Sequence, residues 1–372
     1  MVKNNALKSD DLSHFSENNI VCQLEWLIFK LFKNTKKYQC YSKVYQMTCI
    51  ISITNTLHGL VSEGYHATLR DIFYSNPSLY KKQTVSNNTI AMITRLIRIP
   101  REFLNVVSTS KGMIRGPISV FGSDLSGDKH NRNKIIEFDC LSKIESMGHS
   151  ISPYICRLMN NWRINIYKNI NFVLIIEKDT VFQRLLECNF LEAFNNSCIL
   201  LTAKGYSDLP TRALLYQLCN ILPYKTLFWI LCDYDAYGLT IGATYIMGSQ
   251  NSAWYDSDFK VNRILPFPLP RVADQLANGI IHKQSIFQLS KSNIVRINMV
   301  KQRFENCIEV SSSIRVQWIK ICEQIILDGV EYEIDCIEQL ENWVEEVIKE
   351  KLASINTDEL EYHKEYSYKY SE

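Results

Sequence analysis

Asp233 and Asp235 stand one residue apart just after an apolar run, Leu227 to Cys232, with Gly238 close behind. Such a run reads as a buried strand of a parallel sheet. Carboxylates at the C-terminal end of such a strand lie where open α/β sheets hold their ligands. As hard oxygen donors they suit Mg²⁺. The same spacing also suits a strand-to-helix turn in which Asp235 caps the helix and Asp233 is solvated. An earlier apolar run, Val173 to Ile176, ends in Glu177. Neighbouring parallel strands end at one edge, so Glu177, Asp233 and Asp235 together would hold one or two Mg²⁺ ions and point to phosphate chemistry. Between them lie Lys204, Gly205 and Tyr206, with Arg212 at the start of the next helical segment. Lys204 could reach a backbone phosphate, Gly205 permits close approach and Tyr206 could stack on a base. A loop with a solvated lysine and a surface tyrosine is the alternative.

The elements that must position these residues follow from periodicity. Strands at Val173 to Ile176, Ile199 to Thr202 and Leu227 to Cys232 alternate with helices at Val181 to Cys188, Leu209 to Ile221 and Leu239 to Met247. That alternation predicts a mostly parallel sheet covered on both faces. Arg263 to Leu269, rich in proline, reads as a peripheral fourth strand. Two apolar stripes, Ile314 to Ile325 and Ile334 to Ile348, predict C-terminal helices. Upstream, helical patterns cover Asn19 to Phe32, Val44 to Ser62 and Asn88 to Ile97. Thr68 and Asp71 form an acidic variant of the capping box, opening a short helix through Tyr74. Strands are expected at Phe103 to Thr109 and Met113 to Val120, joined by Ser110-Lys111-Gly112. Three helices and a basic-tipped hairpin outline a CAP-like winged helix.

Bulk properties set bounds. The 372 residues allow two or three domains, and 46% hydrophobic with 22% charged residues suits a globular protein. A net charge of +2 means that any basic surface must come from local clustering. None of the twelve cysteines forms a C-x-x-C pair, and several fall at apolar periodic positions, as in a reduced intracellular protein. No apolar run reaches membrane-spanning length, and no signal-peptide core opens the chain.

Five ordered blocks carry a resemblance: Thr68-Leu69-Arg70-Asp71-Ile72-Phe73-Tyr74, Ser110-Lys111-Gly112, Ile175 to Phe182, Lys204 to Asp208, and Asp233-Tyr234-Asp235-Ala236-Tyr237-Gly238. The carboxylate blocks resemble a Toprim domain. In this order the set resembles the A subunit of type IIB topoisomerase (topoisomerase VI) and its eukaryotic relatives that make meiotic DNA double-strand breaks, fungal members more than archaeal ones. The resemblance implies an α+β and α/β multi-domain fold with a winged-helix unit carrying an N-terminal helix (18–121) and a Toprim unit with C-terminal helices (165–355); polar composition marks a flexible N-terminus (1–17), a linker or insertion (122–164) and a flexible tail (356–372). It implies Tyr74 as nucleophile, since the adjacent position that is often a second tyrosine is Phe73 here. It implies Arg70 as its helper, and Lys111, Lys204 and Tyr206 as DNA contacts, with Arg212 assisting. It further implies Mg²⁺ on Glu177, Asp233 and Asp235, a duplex DNA substrate and a homodimer with shared active sites. Accessory recombination proteins, a topoisomerase VI B-like subunit, and a nuclear location are implied as well. A topoisomerase VI A-type chain engaged in strand passage, and a non-catalytic DNA-binding scaffold, are the competing functions. Ala236, Ala203 and Ser207 depart from the common family pattern without removing an acid, the lysine or the tyrosine.

Overall fold

The computed structural model describes residues 16–33, 41–107, 111–123, 135–142, 147–152, 162–248, 259–269, 272 and 279–369. The expected flexible N-terminus up to residue 15, Ser110 and the polar stretch 124–134 lie outside these residues.

Two helices, Glu17–Lys33 and Tyr41–Glu63, open the described chain. Strand β1 (Ala67–Thr68) leads into the short helix Leu69–Ser75, and helix Gln83–Ile97 follows. Ile20, Leu24, Leu27, Ile53, Leu57, Ile72, Ile90 and Ile93 interlock in one core. Next come β2 (Val106–Val107), β3 (Met113–Arg115), β4 (Ile118–Ser123), β5 (Ile135–Asp139), β6 (His149–Ser150) and β7 (Trp162–Ile166).

The expected hairpin of a winged helix is not formed by these strands. β2 pairs in parallel with β1 instead. β3 leaves the helical unit and joins the main sheet beside the strand Cys198–Thr202. Two glycines explain the fit: a Cβ on Gly116 would lie 2.9 Å from Ile199 Cγ1, and one on Gly112 2.1 Å from Thr211 Oγ1. Only bare backbone can approach that closely. The expected linker 122–164 also does more than connect. β5 and β7 flank β4 in an antiparallel three-stranded sheet, and β6 extends the main sheet from β3.

The main sheet adds β8 (Phe172–Ile176), β9 (Cys198–Thr202), β10 (Leu227–Leu231) and β11 (Ile264–Pro266). Its order is β11-β10-β8-β9-β3-β6, with β8 to β11 parallel. β8 and β9 are buried at every position, as sheets covered on both faces require. β11, carrying Pro266, takes the edge beside β10, where a missing N–H is tolerated. Helices Asp179–Glu187, Leu209–Ile221 and Ala236–Met247 are the crossovers. Helices Lys291–Asn306 and Ser312–Asp328 pack behind the sheet through Phe304, Trp318 and Cys322, while β12 (Phe287–Gln288) and β13 (Val330–Glu331) form a small ribbon. The last helix, Leu340–Lys369, runs through most of the segment expected to be a flexible tail. Among the described residues no helix is long and apolar enough to cross a membrane.

Candidate active site

The chain runs from β8 to β9 on one side and then returns across β8 to β10, so β8 and β10 flank the point where strand order reverses. Register fixes what meets there. Ile176 lies opposite both Leu231 and Thr202, so the loops after β8, β10 and β9 leave the same sheet edge side by side. Glu177 therefore stands next to Asp233, whose N–H donates to Glu177 Oε2 at 3.0 Å. Glu177 is 8% exposed. Burial, and then the Asp233 charge, push its carboxyl up to about 7, with the Asp233 N–H pulling the other way. Burial likewise raises Asp233 to about 6, against the lowering effect of the Ile334 N–H and of Lys178. Asp235 is raised by burial too, while the Gly238 N–H opposes the shift.

The alternative role of Asp235 is real: it is the N-cap of helix Ala236–Met247, with Oδ1 accepting from Gly238 N at 2.6 Å. Asp233 Oδ1 is occupied as well, by Ile334 N at 2.9 Å and Lys178 Nζ at 3.3 Å. Among the described residues no group of three His, Cys, Asp or Glu side chains is set to hold a metal ion as it stands. The acids are gathered, but one oxygen of each faces a hydrogen-bond donor of the protein. The donor set nevertheless fits a hard divalent ion. One buried and two half-buried carboxylates at one sheet edge, all raised by desolvation, gain from a cation that neutralises them.

Sequence reasoning missed half of the charge at this edge. Lys178 Nζ contacts Asp335 Oδ2 at 2.6 Å and Glu333 Oε2 at 2.7 Å. Burial disfavours its ammonium, but the Asp335 and Glu333 hydrogen bonds and the Asp233 charge hold its pKa above the ordinary lysine range. The segment bearing these acids is fastened to the Asp233 loop by a backbone bridge between Tyr234 and Tyr332, whose rings stack at 4.9 Å. The Tyr234 hydroxyl donates to Asp328 Oδ2 at 2.7 Å. No local pattern links positions 178 and 335, so no sequence signal was there to find.

The basic residues divide. Lys204 is exposed in the loop after β9, in the left-handed region at φ 54°, with Nζ 2.9 Å from Asp179 Oδ2. Tyr206 is 45% exposed. Lys111 is exposed just before β3, and the pairing of Met113 with Thr202 puts it at the same sheet edge as the acids. It reaches that edge from an antiparallel strand, not from the expected hairpin tip. Arg212 is a correction: at 2% exposure it lies inside the protein, on a helix whose Leu209, Ala213, Leu214, Leu215 and Leu218 are all buried, and it has no surface to offer DNA.

Tyr74 belongs to the helical core unit. Thr68 caps helix Leu69–Ser75 through Asp71 N at 3.1 Å, and Asp71 Oδ2 returns to Thr68 N at 2.8 Å. These bonds lower the Asp71 pKa, the backbone bond first. Ile72 anchors the helix in the core while Tyr74 is 61% exposed and Arg70, one turn earlier, is exposed too.

A Toprim-type sheet edge with gathered acids, beside a helical unit presenting a tyrosine, defines a class of divalent-metal-binding, topoisomerase-like proteins. Comparison with known proteins narrows it. Residues 172–352 match the family model for the Toprim domain shared by Spo11 and the A chain of topoisomerase 6, and residues 45–106 match "Type IIB DNA topoisomerase". Human "Meiotic recombination protein SPO11" is 29% identical over 263 residues, covering 69% of this chain and 60% of that protein. "Meiotic recombination protein SPO11-1" of Oryza sativa subsp. indica is 33% identical over 214 residues, covering 58% and 50%. The A chain of DNA topoisomerase 6 from Arabidopsis thaliana is 31% identical over 237 residues, covering 64% and 50%. The protein belongs to the family of Spo11 and the topoisomerase 6 A chain. It spans 60% or less of the length of these three relatives.

Proposed function

We propose that this protein cleaves duplex DNA by tyrosine transesterification and makes the double-strand breaks that start meiotic recombination. The observation that carries this reading is the 61% exposure of Tyr74 on a doubly capped helix, inside a segment that matches the type IIB model. Tyr74 Oη attacks the scissile phosphorus and gives up its proton. A new P–O bond forms to the phenol oxygen, the bond to the 3′ oxygen breaks, and that oxygen leaves as a hydroxyl after taking a proton. The broken ester is replaced by another ester, so cleavage needs no nucleotide. Arg70 stabilises the phenolate and the charge growing on the phosphate. Glu177, Asp233 and Asp235 would hold Mg²⁺, which supplies charge neutralisation at the phosphoryl oxygens. Lys111, Lys204 and Tyr206 seat the DNA backbone along the same edge.

A homodimer completes the site, with Tyr74 of one protomer serving the acids of its partner. The separate hydrophobic cores behind the tyrosine helix and behind the sheet support this division of labour. The nucleus is the corresponding location, and the further partners are accessory recombination proteins and a B-like subunit. A second reading, a chain that works with an ATPase partner in strand passage, is favoured by the 31% identity to the Arabidopsis topoisomerase chain. ATP-dependent relaxation by a reconstituted complex distinguishes it. The test of the chemistry is Tyr74→Phe: with Mg²⁺ and a bent duplex, wild type forms a covalent 5′ adduct and the variant none. Adducts that persist in the variant refute Tyr74 as nucleophile, and DNA binding without any adduct in the wild-type complex supports the scaffold instead.

A further inference from the structure

Lys178 is out of place by helix rules. It is the N-cap of helix Asp179–Glu187 and makes no side-chain capping bond. Ser, Thr, Asp and Asn are the residues that cap, and a cation there faces the positive end of the helix dipole. Its side chain turns instead to three carboxylates, with Nζ at 2.6 Å from Asp335, 2.7 Å from Glu333 and 3.3 Å from Asp233. An ammonium has three donors, and here each has an acid to face. The Lys178 side chain is 21% exposed and Asp233 11%, while Glu333 at 63% opens the outer side of the cluster to solvent. The segment it gathers is held by backbone as well, through Ile334 N to Asp233 Oδ1 at 2.9 Å and through the Tyr234–Tyr332 bridge.

We propose that Lys178 is a positioning residue that serves as a resident counter-cation, holding Glu333 and Asp335 against Asp233 and competing with divalent metal for that carboxylate. The proposal rests on the metal-binding reading of Asp233. A divalent ion that takes Asp233 Oδ1 meets the ammonium there, and Glu333 and Asp335, already at 2.7 and 2.6 Å, are placed to keep it. Metal loading is then an exchange of one cation for another within a prebuilt acid cluster.

The full-length protein is titrated with Mn²⁺ by calorimetry, and its melting is followed in EDTA. Lys178→Met removes the competitor and leaves the acids uncompensated. Its melting temperature in EDTA falls, while its Mn²⁺ affinity rises at least fivefold. Lys178→Arg keeps the charge and restores both values toward wild type. A merely structural lysine would lower stability and affinity together, so the opposite movement is the signature. The double variant Glu333→Gln/Asp335→Asn, which keeps Lys178, leaves the ammonium to Asp233 alone and weakens Mn²⁺ binding at least fivefold. Lys178→Met affinity equal to or weaker than wild type overturns the proposal, and so does unchanged binding in the double variant should Lys178→Met not fold. If wild type binds Mn²⁺ no better than Asp233→Asn, the metal reading itself falls and this inference with it.

Discussion

Glu177→Gln should make the metal-free protein more stable, and by an amount that depends on pH. The Glu177 carboxyl titrates near 7 when folded against an ordinary 4.5. Its folded pKa is raised, so folding favours the protonated form. Stability is greatest below the unfolded value and is lost as pH rises from 4.5 through 7. At pH 8 the charged carboxylate costs the folded state about 3 kcal/mol, at ~1.36 kcal/mol per pH unit between the two values. At pH 5 the same linkage leaves under about 1 kcal/mol. Glutamine is neutral and keeps an oxygen for the Asp233 N–H, which is 3.0 Å away, so the local fold has reason to survive. Urea melts in EDTA at pH 8 and pH 5 measure the difference. The variant should gain about 3 kcal/mol at the first pH and less than a third of that at the second. Mg²⁺ should then reverse the order at pH 8: an ion at a thousandfold excess over its Kd adds ~4.1 kcal/mol to wild type and little to the variant. A variant that is less stable at pH 8, or that gains equally at both pH values, would show that burial and charge do not strain this site.

Other substitutions read other links. Gly242→Ala places a Cβ 2.1 Å from Trp318 Cη2, on a ring stacked on Phe304 and tied to Ile264 O at 3.0 Å, so the ring has little room to move. Overpacking of this kind costs ~1–3 kcal/mol, measurable by denaturant melts. Thr68→Ala removes the cap of the Tyr74 helix and should cost about 1 kcal/mol, with hydrogen exchange rising first across Leu69–Ser75. Lys204→Ala should weaken duplex binding across sequences alike and shrink the salt slope by about 1, as loss of one phosphate contact does. A change confined to particular sequences would argue against a backbone contact.

The parts of the fold that could be read in the sequence are those written in consecutive residues. Apolar runs ending in acids placed β8 and β10, and helix Leu209–Ile221 has the bounds its periodicity predicts. Partnerships between distant segments leave no such trace. Met113–Arg115 looks like a hairpin strand from its own pattern, yet it pairs with β9, because Gly112 and Gly116 allow an approach that only the folded neighbour reveals. Arg212 is different, since a signal existed. A helix apolar on nearly every side is a buried helix, and the run Leu209 to Leu218 is of that kind. Its first-turn arginine therefore belonged inside.

The acid loop joins the two roles that its spacing left open. Asp235 caps the helix, and this is how the loop is shaped for binding. Gly238 must come so close that a Cβ there would lie 2.3 Å from Asp233 O, and the Asp235 cap draws it in at 2.6 Å. That turn points the Asp233 N–H at Glu177, while the Tyr234–Tyr332 bridge fixes the far side and brings Glu333 and Asp335 to Lys178. On the proposed metal-binding reading, capping and ligation are successive uses of one turn. Gly238→Ala should therefore lose metal binding even where circular dichroism shows the helices intact, because the clash falls on the backbone that orients Asp233. Retained Mn²⁺ binding in that variant would mean that the turn is not what gathers the acids.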